Sequence, residues 1–588
     1  MNFLKLKDNI SDSYNKVSSF IGNNQRYQFG LFIVVLVLLS IAMMAWYFPD
    51  ETVTAGGTDL MFHANRFYAI IQSIEFGTFP FYINAHTLNE YGYAANLFYP
   101  DFMLIPFAFF IPLIGLASSY KLIIFTHTIL CGILSYWCMR KVTKDNAMAF
   151  LFSLLYTFAL YRIIDFSYRG ALGEFISFTF LPIIFWGLYE ILYGDFKRKW
   201  YIIAIGFTCL IYTHLLSAFL IFLVVCITLL ICYKRIIKTP ARLIYLGIAG
   251  FVSLLLSLFF LLSMFEQLAD NSFYFQTHPL ATEIGPQSFA VRRILWGMFS
   301  GLTDQKLRIE SIGILLIIPL LFRIGIKGKH PFLKFADISM ICGFILIFAV
   351  SDQFPWYTFP FNKLAILQFP FRLLQPASFL LACSGAIYMT IIGRQTNRTL
   401  LFICLIIGGV TLSLKTSGGV YQGYNIYNIS NTEDYNLDDL EIVGAEYLPS
   451  SIPSIETEDI RYRIEFILDR GQTINVKDTI NSTITNINRV KSKLSFDIKL
   501  NEPEKVTLPL LYYKGYKATL DGKELEIKQG EEGLLEVAIP ASGKIEVWYN
   551  GTSLQRIALI LSIVSLLSLL IYLYIIGTSK RKDKNTIN

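Results

Sequence analysis

The sequence predicts a polytopic α-helical membrane protein with a small β domain placed just before its last span. Three observations predict it. Of the 588 residues, 54% are hydrophobic and 16% charged, with a mean hydropathy of +0.51, which is more apolar surface than a water-soluble core can hide. Apolar runs recur along the chain between short basic loops. Near residue 459 the period changes from helical to alternating, the pattern of strands.

Residues 1–28 are polar and carry Lys5, Lys7, Lys16 and Arg26, so the excess of basic residues keeps them cytoplasmic. The first apolar run, 29–48, is too long for a signal-peptide core and no small-residue cleavage site follows it, which makes it a retained anchor. A first outer loop, 49–98, comes next. Further apolar runs lie near 118–139, 147–160, 175–193, 200–214, 216–233, 243–265, 309–326, 333–350, 372–393 and 399–414. If each crosses once, the basic loops RKVTKDN, GDFKRK, YKRIIKTPAR, RIGIKGKHPFLK and GRQTNR all fall on one side. A last run, 557–576, is followed by SKRKDK and brings the expected count to twelve crossings.

The stretch 98–115 is apolar but short and holds Pro100, Pro106 and Pro112. It reads as membrane-dipping, and a full crossing there would make thirteen. The expected division is therefore a transmembrane domain over 29–415, an extracellular β domain over 416–551 with its strand core at 459–550, a last helix over 552–577 and a basic tail over 578–588. The strand core reads RYRIEFIL, KLSFDIKL, KVTLPLLYY, YKATL, LEIK, GLLEVAIP and KIEVWY, with turns at Asp521-Gly522 and 530–533. A β-sandwich is expected. Its Tyr512, Tyr513, Tyr516 and Trp548 suit either sugar stacking or core packing.

Composition also excludes functions. The net charge of +7 clusters in short loops, so it reports orientation and not nucleic-acid binding. All eight cysteines lie in or beside apolar stretches, and no disulfide framework follows. The chain contains no GxxxxGK[ST], HExxH, GxSxG or DxD motif and no cysteine metal cluster, which leaves cytoplasmic nucleotide chemistry unsupported. An outward-facing enzyme would draw its activated substrate from the lipid phase. No internal repeat is visible, which weakens a transporter built on inverted halves.

The most informative stretch is 56–101. On a helix starting near Thr58, Asp59, His63, Arg66 and Ile70 share one face, aligning a carboxylate, an imidazole, a guanidinium and an apolar residue. An interfacial helix with a solvated stripe, N-capped by Thr58 or Asp59, would show the same spacing. Asp59 and His63 could share a divalent cation, but two side chains are too few to assert a site, so no metal or cofactor is assigned. Arg169 and Arg372 are candidate phosphate ligands through bidentate hydrogen bonds, or interfacial arginines that snorkel. Glu174, five residues from Arg169, is a site carboxylate or an ion pair fixing its loop. His214 near an outer turn and Glu266 at the end of an apolar span carry the same ambiguity between function and packing. The loop 266–308, with His278-Pro279 and Gly285-Pro286, is long enough for a lid.

The order of several stretches resembles a family. GTDLMFHANRF, SIEFGTFP, YGY, FYPD, YRGALGEFISFTFLPI, THLLSAF, QFPFRLL, AEYLP and LPLLYYKGYKATLDGKELEI look like bacterial integral-membrane proteins of the GT-C glycosyltransferase superfamily, nearest the YfhO-like proteins and the membrane proteins named after a pyruvoyl-tetrahydropterin-synthase-related domain. The resemblance implies a GT-C-like fold in the bacterial cell membrane and sugar transfer outside the cytoplasm from a polyprenyl-phosphate-linked donor. It implies a carboxylate in the first outer loop as general base, and Asp59 is the residue that matches. The acceptor would be a cell-envelope glycopolymer such as a teichoic acid or surface polysaccharide, and the stereochemistry inverting. FYPD at 98–101 departs from the second proline of many members, leaving Asp101 structural or catalytic. The competing readings are a lipid-linked glycan transporter, using the same groove without bond making, and an assembly scaffold whose β domain binds polymer.

Overall fold

The computed structural model describes residues 25–80, 82–85, 87–277, 283–300, 312–421, 427–431, 445–453, 460–476, 482–490 and 493–585. Among them, seven helices are long and apolar enough to cross a membrane: Arg26–Tyr47, Leu116–Thr143, Asn146–Arg169, Leu172–Leu192, Pro370–Gln395, Thr399–Gly418 and Ser553–Thr578. The pair Ala241–Leu256 and Leu258–Asp270, bent by 72°, makes eight if taken as one span. This is a largely helical, membrane-compatible architecture with a β-rich region near the C-terminus.

The expected twelve spans differ from this in length, not in kind. The other four runs form the shorter helices Tyr201–Ile211, Leu215–Ile231, Ile314–Leu321 and Leu333–Ala349. Pro319 inside the third removes a helical donor and helps keep it short. In 98–115, prolines at the first turns of Ile105–Ala108 and Ile111–Ile114 break the run. The stretch Ile105–Ile114 rises only about 15 Å even if taken as one helix, half of a hydrocarbon core of about 30 Å, while Phe102, Phe109 and Leu113 remain exposed.

The helical windows of Asn146–Arg169 and Pro370–Gln395 are each 94% buried, whereas that of Ser553–Thr578 is 11% buried. The first two are therefore the centre of the bundle, joined by Phe152, Tyr156 and Phe379 in mutual ring contact. The stretch 161–174, which falls between the apolar runs near 147–160 and 175–193, is not a plain loop: as far as Arg169 it continues the central helix. Leu160–Ile164 passes into a π-helical turn, Asp165–Arg169, and only Gly170 at φ +70° ends it. Wide turns of this kind recur at functional positions.

The bend at Ser257 frees backbone groups that lipid cannot satisfy. Ser562 of the last helix takes both: its Oγ accepts from Phe259 N at 2.9 Å and donates to Leu255 O at 3.2 Å. Beyond the bend, Gln267 clasps the β region by accepting from Lys514 N at 3.0 Å and donating to Lys514 O at 2.8 Å.

Strands β1 (Val53–Ala55) and β2 (Tyr427–Ile429) pair antiparallel, tying the 49–98 segment to the segment that leads into the β region. That region holds β3 (Asn475–Val476), β4 (Thr483–Val490), β5 (Lys493–Lys499), β6 (Glu504–Leu511), β7 (Tyr516–Leu520), β8 (Lys523–Leu525), β9 (Ile527–Gln529), β10 (Leu534–Ile539) and β11 (Gly543–Tyr549). They form two antiparallel sheets, ordered β3-β6-β10-β9 and β4-β5-β11-β7-β8. Leu494, Phe496 and Ile498 of one sheet and Val506, Leu508 and Val537 of the other fill one apolar cluster, as alternation along each strand requires. Asp521 and Gly522, both at positive φ, make the tight turn between β7 and β8.

RYRIEFIL is not a strand. It belongs to the helix Ile460–Arg470, which stops before Gly471 at φ +58°; Ile460, Ile464 and Ile467 also recur at helical spacing. Strand β4 was hidden in the sequence because most of its residues are exposed and polar.

Replacing Ser562 by Ala leaves the Phe259 amide without its partner inside an apolar bundle. A loss of about 1–3 kcal/mol is expected, measured as a lower unfolding temperature of the detergent-solubilised protein, with Ser562→Thr closer to the parent.

Candidate functional site

The helix Asp59–Glu75 lies in the segment after the first apolar helix, with Asp59 in its first turn, where a carboxylate suits the helix dipole. Thr58 makes no side-chain cap bond. The helix start is held instead by its neighbour: Gly57 N donates to Tyr168 O at 2.7 Å, and a Cβ on Gly57 would overlap the Arg169 carbonyl. On the other side, a Cβ on Gly170 would lie 2.5 Å from Leu60 N. Two glycines thus let the GGTD and YRG segments interlock backbone to backbone.

Around that contact the structure gathers most of the residues singled out in the sequence. Arg169 Nη1 donates to Asp165 Oδ1 at 2.7 Å and to Glu174 Oε2 at 2.9 Å. Arg372, from the turn Pro370–Leu373, sets Nε 3.6 Å from the same Glu174 oxygen, while Tyr161 Oη donates to Glu174 Oε1 at 2.6 Å. Glu174 therefore ties both arginines to one point. Arg169 lies over the Phe371 ring at 4.7 Å, and its side chain keeps 15% of its surface open. Among the described residues no hydrogen bond uses Nη2 of either arginine, so each retains donors for an anion.

The half-buried Asp59 carboxylate faces this pair. Among the described residues it makes no hydrogen bond or ion pair of its own. Burial raises its pKa, and the charges of Arg169 and Arg372 oppose the rise. Asp59 is an acceptor placed next to cations without being closed off by them.

His63 and Arg66 follow on the same helix face and are buried. Arg66 Nη1 donates to His63 Nδ1 at 2.9 Å, and because a guanidinium only donates, the imidazole is neutral with its proton on Nε2. Burial and the Arg66 charge hold the His63 pKa well below its usual value. Arg66 Nη2 donates to Pro100 O at 2.8 Å and pairs with Asp101, which Asn96 also contacts. Arg66 is thus committed to pinning the 99–101 segment, and Asp101 to receiving it. The Tyr99 ring lies under the Arg66 guanidinium at 4.1 Å and beside His63 at 5.3 Å and His214 at 6.0 Å.

His214 caps the helix Leu215–Ile231, its Nδ1 accepting from Ser217 N at 3.3 Å, and forms part of the cluster's wall. Glu266 is not brought in: it accepts from Thr552 Oγ1 at 2.5 Å and lies 3.9 Å from Lys514 Nζ, at the junction with the last helix. Sequence reasoning overlooked Asp165, Tyr161 and Tyr99 as cluster members. For Asp165 a signal existed, its four-residue spacing to Arg169. Among the described residues no group of three or more His, Cys, Asp and Glu is placed to hold a metal ion, and the guanidinium on His63 Nδ1 disfavours a cation between Asp59 and His63.

The face that starts at Asp59 ends at Ile70, about 16 Å along the axis. Ile70 lines an apolar cavity of about 540 Å³ bounded by Leu97, Phe102, Tyr212, Phe260 and Leu566, with Asp101 and Asn96 at its polar margin. The expected lid, 266–308, lies partly outside the described residues, at 278–282 and 301–308; in its first part Tyr274 N and Phe275 N donate to Leu448 O and Glu446 O at 2.9 and 3.0 Å.

No protein-family model matches the chain. It is 23% identical over 604 residues to an uncharacterized protein of Lactococcus lactis subsp. cremoris strain MG1363, a similarity covering 95% of this chain and 97% of that protein. The shared length takes in both the helical bundle and the β region.

The His63 environment sets a pH dependence. With its folded pKa held below the unfolded value of about 6.5, stability is complete above that pH and falls below it, because only the unfolded chain takes up the proton, by up to about 1.4 kcal/mol per pH unit. Thermal unfolding between pH 8 and pH 5 should therefore decline less steeply for His63→Gln than for the parent, whatever the variant's stability at pH 8.

Proposed function

We propose that the protein is a GT-C-type glycosyltransferase that moves a sugar from a polyprenyl-phosphate-linked donor to a cell-envelope glycopolymer on the outer side of a bacterial membrane. One observation carries the reading: a half-buried carboxylate, Asp59, with no hydrogen bond of its own among the described residues, lies in the field of two arginines that keep free donors. Asp59 accepts the proton of the acceptor hydroxyl. The hydroxyl oxygen bonds to the anomeric carbon, the carbon–oxygen bond to the lipid phosphate breaks, and the phosphate leaves with the electron pair, gripped by Arg169 and Arg372. A single displacement inverts the anomeric centre.

Glu174 positions both arginines and Tyr161 positions Glu174. The apolar cavity reached along the Asp59–Glu75 helix has the character a prenyl chain requires. Basic loops on one side of the apolar runs support outward placement of the site, with twelve crossings and a β-sandwich built from the two sheets.

Asp59→Asn keeps the shape and removes the proton acceptor. Transfer of labelled sugar from a synthetic polyprenyl-phosphate donor should fall by a factor of about 10² or more, with unfolding temperature and membrane insertion unchanged. A fully active Asp59→Asn protein would exclude Asp59 from the mechanism, and label that crosses a vesicle with its linkage intact would indicate transport. For the parent, activity should be lost as pH falls through the raised Asp59 pKa, so the acid limb lies above the ordinary aspartate value of about 3.9.

A further inference from the structure

A second cavity, of about 160 Å³, lies between the far half of the Asp59–Glu75 helix and the β region. Its wall carries Tyr82, Tyr516 and Tyr549, with ring centroids 6.1 Å apart for Tyr82–Tyr549 and 5.2 Å for Tyr516–Tyr549. Gln72 contributes a buried Oε1 that has no hydrogen-bond partner among the described residues. At the rim, Arg489 Nη1 donates to Glu90 Oε2 at 3.1 Å, beside the exposed Asn550.

From this we infer that the cavity is a saccharide subsite that holds one pyranose unit of the acceptor polymer. The volume suits a single sugar ring and not a prenyl chain. Tyrosine rings offer apolar surface to the carbon–hydrogen face of a pyranose. Planar amide and carboxylate groups answer hydroxyls, which both donate and accept. A buried acceptor without a partner costs stability unless a ligand or water supplies the missing donor, and a sugar hydroxyl supplies it. Gln72 lies thirteen residues from Asp59 on the same helix, about 20 Å along its axis, so a polymer seated here extends several units toward the reacting carboxylate. The role as acceptor subsite rests on the transfer reading; saccharide binding does not.

The test uses the full chain in lipid nanodiscs, with maltohexaose, cellohexaose and chitohexaose as probes, read by saturation-transfer difference NMR. At least one probe is expected to bind with a millimolar dissociation constant. Gln72→Leu, which deletes an acceptor that none of the described residues uses, should keep the unfolding temperature and weaken binding about tenfold. Tyr82→Ala should weaken it similarly, and Asp59→Asn should bind as the parent does. Absence of saturation transfer from every probe, or parental binding by both Gln72→Leu and Tyr82→Ala, overturns the inference. Loss of transfer in Asp59→Asn without saccharide binding would leave the transferase reading intact, whereas probe binding that depends on Gln72 in a protein without transfer activity would retain the site and remove that reading.

Discussion

A buried carboxylate shared by two guanidinium groups is the interaction on which the end of the bundle nearest the Asp59–Glu75 helix depends. Arg169 and Arg372 come from segments two hundred residues apart, and both meet Glu174, whose other oxygen is held by Tyr161. Removing one member of such a set leaves an uncompensated buried charge, which costs more than the set contributes when whole. Asp165 and Glu174 both pair with Arg169, and Glu174 also meets Arg372. Asp59 is the carboxylate outside these pairs; burial disfavours its charge, and the two arginines oppose that effect.

The same charges explain the backbone around them. A π-helical turn at Asp165–Arg169 places the acid and the base of one ion pair on a single turn, and Gly170 ends it where an ordinary residue would collide with the start of the Asp59–Glu75 helix. The segments carrying Asp59 and Arg169 are thus set against each other by main-chain contact. Under the proposed reading, such placement leaves little to order before substrate arrives.

The β region is joined to this frame at several points. Gln267 holds Lys514, Leu511 N donates to Tyr91 O, and Arg489 reaches Glu90 in the 49–98 segment. The bend at Ser257 lets the helix carrying Gln267 turn toward the sheets, and Ser562 satisfies the opened backbone at that bend. The 49–98 segment therefore packs against both the bundle and the sheets, and both cavities border the C-terminal half of its helix, sharing Pro80 and Tyr82 in their walls.

Local pattern determined much of this. Apolar runs, basic loops and alternating strands have periods of a few residues, so the helices, the β region and the shared face of Asp59, His63, Arg66 and Ile70 could be read directly from the sequence. Period failed at RYRIEFIL, where isoleucines suit helix and strand alike, and at 161–174, where polar residues inside a buried helix resemble a loop. What tertiary structure alone decided was the use of each charge: that Arg66 pins residues 99–101, that Glu266 meets Thr552, that Arg372 joins Arg169. Such pairings join residues up to 286 positions apart, and nothing in the order of the amino acids near either partner specifies the distance between them once folded.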